Sequence, residues 1–436
     1  MSGDGSGQDT SKIYHRYLNN FMESLGRGSS TTYTTEQLLE IEPKQIASYL
    51  NRLAYGKENP NGDDKPVKCR SNTLAFVKKS LSHYMPRKLM PWDPISMTGN
   101  PTRSEEVNSI IKRVKKFEVR QQGVQSSATR PIEYQELMSL LKILRTEQDA
   151  EKGYMVCCVI CLQWHLIARI DDMMKFQLNN LMFNVQHPFT MLSKLRWSKN
   201  ISEEREAPEQ LILGSMEPLL CPILNLAIYL ELRSHDSPFV FGNPDHGARI
   251  VRATLQGALD DPRFQRMKSG KLLTHSFRKG SATYASRTGA VKDHVDRRGR
   301  WRRKKSIVDI YIDVNLPYPD ALVAAALTGP SGPCKYKLSC TNEFPPEHVL
   351  TSAFAPKCAE ILPDELAKLL AIPLISAAMS DHKVPIMPQQ LREAIRKKLL
   401  DVTGLTVNPV ARVPLHVVVK VPECIWLKYP TMQAQR

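Results

Sequence analysis

Several features that mark common protein classes are missing from this chain of 436 residues. No apolar run reaches the roughly 18–20 residues that span a bilayer. The longest run, residues 154–168, is interrupted by Gln163 and His165, so we expect a buried helix there and no membrane partner. The nine cysteines include no CxxC pair with a matching second pair, which argues against a zinc site. Their odd number and mostly apolar neighbours favour a reducing compartment.

The chain also lacks Walker, GxGxxG and paired-carboxylate patterns, so we expect no nucleotide cofactor and no metal. The first residues, MSGDGSGQDTSK, are polar and show no secretory signal. Acidic residues are few: 44 Asp and Glu stand against 60 Lys and Arg, which gives a net charge of +16. This charge favours nucleic acid as the partner, in the cytosol or the nucleus.

Most of the excess positive charge lies in one stretch. Residues 261–311 hold 15 Lys and Arg but only 4 Asp and Glu, together with a histidine, an arginine three residues later and a tyrosine. Such a stretch suggests chemistry on a phosphate backbone. Its most basic part, RRGRWRRKK at 297–305, equally suits a solvated helix or a nuclear-import signal. Charge alone does not separate these interpretations.

Three short motifs in this stretch resemble the catalytic domain of the tyrosine recombinase (phage integrase-like) family. They are HSFRKG at 275–280, GRW at 299–301 and IVDIYIDV at 307–314, and the first two are similar to those of Crypton-type transposon recombinases. The resemblance implies that His275 and Arg278 form the second catalytic box and that Tyr311 is the nucleophile. Trp301, or alternatively Arg300, takes the family's His-or-Trp position. Trp301 and Tyr311 are 10 residues apart, about one more than is usual, which suggests an insertion between them.

The resemblance also implies catalytic residues upstream. Arg169 follows the apolar helix as the family's first arginine does, with Asp172 as its acidic partner, although the pair also fits an ordinary surface salt bridge. The sequence from 183 to 215 predicts two strands joined by a basic hairpin. The family's hairpin lysine then corresponds to Lys199 at the turn, with Lys194 as the alternative.

The implied reaction is metal-free cleavage of DNA. Arg169 and Arg278 grip the phosphate, Tyr311 forms a 3′-phosphotyrosine, and Lys199 protonates the leaving 5′ oxygen. His275 assists proton transfer or orients the phosphate, and Trp301 offers its indole N–H.

The fold class predicted is mainly α with a small β-sheet. We expect a helical core-binding (SAM-like) domain at 10–122, a catalytic domain at 130–330 and a C-terminal extension of undecided role at 331–436, with a linker at 119–131. The first domain shows helical patterns at 42–55, after a Ser71 cap, and after a capping box of Thr102 and Glu105. The residues expected to contact DNA are Lys78, Lys79, Arg297, Arg298, Arg300, Arg302, Arg303, Lys304 and Lys305.

Taken together, the sequence predicts a site-specific recombinase or transposase of a transposable element. It is expected in the nucleus, as a dimer or tetramer on double-stranded DNA. The alternative is a catalytically silent DNA-binding protein derived from a Crypton recombinase, although binding alone needs neither Tyr311 nor His275. A type IB topoisomerase shares the chemistry, but the two Crypton-like boxes and the short N-terminal helical domain disfavour it.

Overall fold

The structure is a computed structural model that describes residues 5–120, 128–197, 207–301, 320–338, 347–380, 384–403 and 410–415. It is mainly α-helical with two small antiparallel sheets, which confirms the predicted fold class. The chain divides into two compact units, Met1–Ser127 and Ala128–Arg436. None of the helices in the described ranges is long and apolar enough to cross a membrane.

The first unit is built of helices that share one apolar core. They are α1 (Gly5–Ser24), α2 (Thr35–Leu39), α3 (Pro43–Tyr55), α4 (Ser71–Tyr84) and α5 (Glu105–Val119), with a short 3₁₀ turn at Pro101–Arg103. Each of the three longer predicted patterns forms a helix, because apolar residues at helical spacing face that core. Leu50, Leu74 and Val114 of α3, α4 and α5 are fully buried in it.

Two predicted helix caps are wrong, although their helices are present. Ser71 is the first residue of α4, and its hydroxyl and backbone N–H both donate to Glu118 of α5. Thr102 donates to the side chain of Asn100, and Ser104 caps α5 by accepting from the Val107 N–H. In both cases a tertiary partner or a neighbouring hydroxyl competes for the role that local spacing suggests.

The second unit alternates helices with short strands. In chain order its elements are α6 (Tyr134–Leu144), α7 (Ala150–His165), α8 (Ile170–Met174), β1 (Leu181–Phe183), β2 (Met191–Lys194), β3 (Glu209–Ile212), β4 (Gly214–Ser215), α9 (Pro222–Leu232), α10 (Pro244–Asp260), α11 (Thr274–Arg287), α12 (Lys292–Arg298), α13 (Ala321–Ala326), β5 (Pro333–Leu338), α14 (Glu347–Phe354), α15 (Pro356–Ile361), α16 (Asp364–Met379), α17 (Gln389–Thr403) and β6 (Val410–Pro414). As predicted, α7 is a buried helix: every residue from Gly153 to His165 is buried. It therefore forms the centre of the unit, around which the other elements pack.

The two sheets have the orders β1-β2-β3 and β4-β5-β6, and all pairs are antiparallel. Strands β2 and β3 form the predicted hairpin, with Lys194 opposite Glu209. The described part of residues 331–436 belongs to the second unit: β5 pairs with β4, and Leu366, Leu370 and Leu374 of α16 lie in the same apolar core as α7 and α9. This segment thus completes the core of the second unit.

Candidate active site

A buried carboxylate, Asp172, holds the centre of the candidate site. It lies on the short helix α8, where its Oδ2 accepts from the backbone N–H of Arg169 at 3.0 Å. The same oxygen accepts from Arg300 Nη2 at 3.2 Å and lies 3.7 Å from Arg278 Nη1. The chain reaches this helix through Ile167, which has a φ of +47°. A β-branched residue rarely adopts that conformation, so the turn that brings Arg169 to the site is strained.

Arg278 contacts several of the other groups at the site. It is on α11 and is only 2% exposed, its Nη2 donates to the Gly299 carbonyl, and its guanidinium lies 4.9 Å from the centre of the Trp301 ring. Its Nη1 has no hydrogen-bond partner within the described part of the chain. Burial, followed by the nearby charges of Arg300 and Arg169, lowers the pKa of Arg278 to about 9. The guanidinium therefore remains charged at neutral pH, with a donor available for a ligand.

The charges at this site do not balance. The guanidiniums of Arg278 and Arg300 both face the single carboxylate of Asp172, and the charge of Arg169 lies close enough to lower the pKa of both; we call these three residues the arginine cluster. Buried like charges repel strongly because the protein interior screens them poorly. An excess of buried positive charge, with a hydrogen-bond donor unused, is suited to an anion such as a phosphate.

His275 lies one helical turn before Arg278 on α11. Its side chain is exposed, and its pKa is lowered by desolvation and then by the charges of Lys279, Arg278 and Arg169. The imidazole is therefore neutral at pH 7, where it can accept a proton. The two residues of this predicted pair, His275 and Arg278, therefore lie as neighbours on the same side of one helix.

Trp301 covers Arg278 because the preceding turn brings it there. Its backbone N–H donates to the Asp296 carbonyl at 3.0 Å, and a Cβ added to Gly299 would lie 2.4 Å from the indole ring. Glycine is thus required beside the ring. Of the two candidates for the His-or-Trp position, Trp301 stacks on Arg278, whereas Arg300 bonds to Asp172.

Two arginines expected to contact DNA are instead buried within the protein. Arg298 is fully buried, and its guanidinium donates to the carbonyls of His165 and Leu211 and to Asp320. Arg300 adopts a φ of +52° and donates to Gln210 and Asp172. We therefore correct the assignment of both residues as surface contacts to DNA: Arg298 is bonded within the protein, and Arg300 faces Asp172 at the candidate site.

The structure describes only some of the remaining residues that were expected at the site or on DNA. Arg297 is partly buried on α12, and Lys194 is partly buried at the end of β2. The hairpin of β2 and β3 starts at the site, since Gln210 of β3 bridges Arg300 and the Arg298 carbonyl. Lys199, Arg302, Arg303, Lys304, Lys305 and Tyr311 lie outside the described residues. Within the described ranges, no three His, Cys, Asp or Glu side chains converge as metal ligands would.

A second basic surface lies in the first unit, between α4 and α5. It is a groove of about 710 Å³, and its lining residues with charged or polar side chains include Lys78, Lys79, His83, Lys88, Arg103, Asn108, Lys112 and Lys115. No acidic residue is among those that line it, and we call it the basic groove. Burial, and after it the nearby charge of Arg103, lowers the pKa of Lys78. Lys78 and Lys79, both expected to contact DNA, thus lie side by side in a cavity suited to a polyanion.

Comparisons with known proteins give a distant structural likeness. No family model matches the sequence, and no curated protein matches it. Among solved structures, the chain is similar to a complex of FLP recombinase with a Holliday junction, at 12% identity and a TM-score of 0.40, covering 83% of this chain and 96% of that one. It is also similar to a complex of Flpe with a Holliday junction, at 12% identity and a TM-score of 0.38, with the same shares covered.

Proposed function

We propose that this protein cleaves and rejoins double-stranded DNA through a covalent bond between Tyr311 and a 3′ phosphate. The observation that carries the proposal is the arginine cluster, in which Arg278 has an unused donor and the guanidiniums of Arg278 and Arg300 share one carboxylate. A pentavalent phosphate places its charge on equatorial oxygens, which guanidiniums bind in bidentate fashion better than lysines do. The cluster supplies that charge in advance, in a poorly screened environment.

Tyr311 attacks the phosphorus, and its hydroxyl proton passes to the neutral imidazole of His275. The new bond joins the tyrosine oxygen to phosphorus, while the bond from phosphorus to the 5′ oxygen breaks. Lys199 gives its proton to that oxygen. The alternative donor is Lys194, at the end of β2. Rejoining reverses each transfer, so that the chain needs no external energy source.

The wider proposal follows from the resemblance of the motifs. It assigns the protein to the nucleus, to a Crypton-like transposable element and to a dimer or tetramer on DNA. A catalytically silent DNA-binding protein is the second candidate, because the basic groove would bind DNA whether or not the second unit cleaves it. The two candidates differ only in the covalent step.

A trapping experiment tests that step. The protein is incubated with nicked suicide duplexes that carry the DNA flanking its gene, and any covalent adduct is digested and its peptide mapped. We expect the adduct on Tyr311, and none with Tyr311→Phe, which loses only the hydroxyl. Tyr284 is the matched control, since it stacks on Tyr134 with ring centres 5.4 Å apart and has a packing role. An adduct on another tyrosine, or no adduct with any duplex that the protein binds, would contradict the proposal.

A further inference from the structure

An unusual group of apolar side chains is exposed on the loop between α4 and the 3₁₀ turn of the first unit. Ile95 is 93% exposed, Leu89 80%, Met97 58% and Met90 52%, and we call these four residues the apolar tip. Burying a side chain of this size stabilises a protein by about 1.5–3 kcal/mol. Such a clustered exposure is characteristic of a surface that another molecule covers.

The loop that carries the apolar tip is held in one conformation. Asp93 and Thr98 exchange two backbone hydrogen bonds of 2.8 and 3.3 Å, and the Asp93 carboxylate accepts from the Ile95 N–H and the Ser96 hydroxyl. Met97 adopts a φ of +52°, which is uncommon for a residue with a side chain. The buried Asn100 holds the base of the loop. The tip is thus ordered before any partner arrives, which lowers the entropic cost of binding.

The apolar tip stands at the edge of the basic groove. Lys88 and Leu89 both line the groove, and Arg103, another lining residue, donates to the Leu89 carbonyl at 2.9 Å. The base of the loop is tied down at the same place, because Asn100 donates to the Lys88 carbonyl. A partner that covers the tip must therefore also accept several positive charges beside it.

Charge complementarity selects among the partners that could do so. A second copy of this chain would bring its own net charge of +16 against the cations of the groove. A DNA duplex offers both features at once, because its phosphates are anionic and its base steps open to apolar side chains. Proteins that insert Leu, Ile, Met or Pro between base steps of the minor groove unstack them and kink the duplex.

We propose that the apolar tip is a wedge that enters the minor groove of double-stranded DNA and partly unstacks one base step, while the basic groove binds the adjacent backbone. This inference rests on the proposed function only for its choice of DNA as the partner. It adds a role that phosphotyrosine chemistry does not require: the first unit bends the DNA that it holds.

The test compares two double variants of the full chain on one duplex. The duplex carries 2-aminopurine at successive positions and a fluorophore at each end, which report unstacking and bending. Ile95→Ser/Met97→Ser removes two exposed apolar groups of the tip, neither of which lines the groove, without touching the backbone bonds of the loop. Leu39→Ser/Val67→Ser is the matched control, because these residues of the same unit are 49% and 50% exposed but do not line the groove.

We expect the wild type and the control to raise 2-aminopurine emission at one step and to shorten the end-to-end distance. The tip variant should bind the duplex yet lose both signals. Retention of both signals by the tip variant would overturn the proposal. So would a tip variant that bends DNA normally but no longer self-associates in sedimentation, or no longer binds phosphatidylserine vesicles, since the tip would then serve a second copy or a lipid surface.

The failure of this inference can be distinguished from a failure of the proposed function. Arg278→Ala should still bend and unstack the duplex, because it alters only the second unit. If the wild type bends DNA but forms no covalent adduct, the proposed wedge is supported and the proposed cleavage chemistry is contradicted. If the wild type forms the adduct on an unbent, fully stacked duplex, only the proposed wedge is contradicted.

Discussion

The arginine cluster and the basic groove contain the same kind of charge in opposite surroundings. In the cluster, Arg278 and Arg300 are buried and share Asp172. In the groove, Lys79, Lys88 and Lys115 are exposed to solvent. Exposed charges are screened beyond roughly 8 Å at physiological salt, whereas buried charges are not. Under the proposed function, we therefore expect the groove to provide the affinity for DNA, and the cluster to stabilise the charge that develops on one phosphate.

The cluster and the groove also differ from Arg298, which belongs to the most basic stretch yet has its guanidinium fully bonded within the protein. Basic residues therefore need to be sorted by what their guanidinium or ammonium groups contact.

The largest effect is expected on stability, from Asp320→Ala. This change leaves the fully buried Arg298 without its carboxylate partner, and breaking a buried pair costs about 3–5 kcal/mol. Urea unfolding followed by circular dichroism measures the loss. The control is Lys292→Ala, which breaks the exposed pair with Asp296 and should cost under about 0.5 kcal/mol. Equal losses would mean that Arg298 is not a structural residue.

The next effect concerns the cluster. Arg278→Ala should slow formation of the covalent adduct by about 10²–10³, the usual loss when one charge-assisted contact to the transition state is removed. The dissociation constant for DNA should change little, because the buried side chain contributes little surface. Arg252→Ala, which removes a 54% exposed arginine of α10, should leave both quantities unchanged. Equal losses of binding and cleavage with Arg278→Ala would show that Arg278 serves to bind DNA and not to stabilise the transition state.

The groove should show the complementary behaviour. Lys112→Ala/Lys115→Ala removes two lining cations, and each lost phosphate contact lowers the slope of log affinity against log salt by about 0.9. Adduct formation at saturating protein should be unaffected. Lys44→Ala/Lys57→Ala, outside the groove in the same unit, is the charge-matched control. A control that changed the salt slope as much would show that the groove has no special part in binding.

The smallest effect is a displaced pH profile. Because the folded protein lowers the pKa of His275 below its ordinary value of 6.5, the imidazole is neutral at pH 7 and gains a proton only as the pH falls further. If it accepts the Tyr311 proton, single-turnover cleavage should be level from pH 8 to 7 and decline in acid, with a midpoint below 6.5. His275→Gln should lack this decline. An identical decline in the variant would assign it to another group.

The sequence predicts helices better than it predicts the site. The helices α3, α4, α5 and α7 appear where expected, because the apolar spacing of the first three reflects a buried face and the apolar run of α7 reflects burial on all sides. Asp172 was also identified, but its sharing between Arg278 and Arg300 depends on contacts more than a hundred residues apart along the chain. No local pattern contains such contacts.

The inward direction of Arg298 has one local signal in the sequence. It follows Val295 by three residues on α12, and a shared face with a buried valine indicates burial. The repeated basic residues around it concealed this signal, since a run of like charges normally marks a solvated surface. The strained backbone at Arg300 has no sequence signal, because a φ above zero is ordinarily a property of glycine.

The most direct measurement of the central claim uses a DNA substrate whose scissile phosphate is replaced by a neutral methylphosphonate. If the arginine cluster acts by neutralising charge on that phosphate, removing the charge from the DNA should make Arg278 dispensable. We predict that the loss caused by Arg278→Ala, about 10²–10³ on ordinary DNA, shrinks to less than about tenfold on the neutral substrate. The same loss on both substrates would contradict the account, because Arg278 would then act through something other than charge.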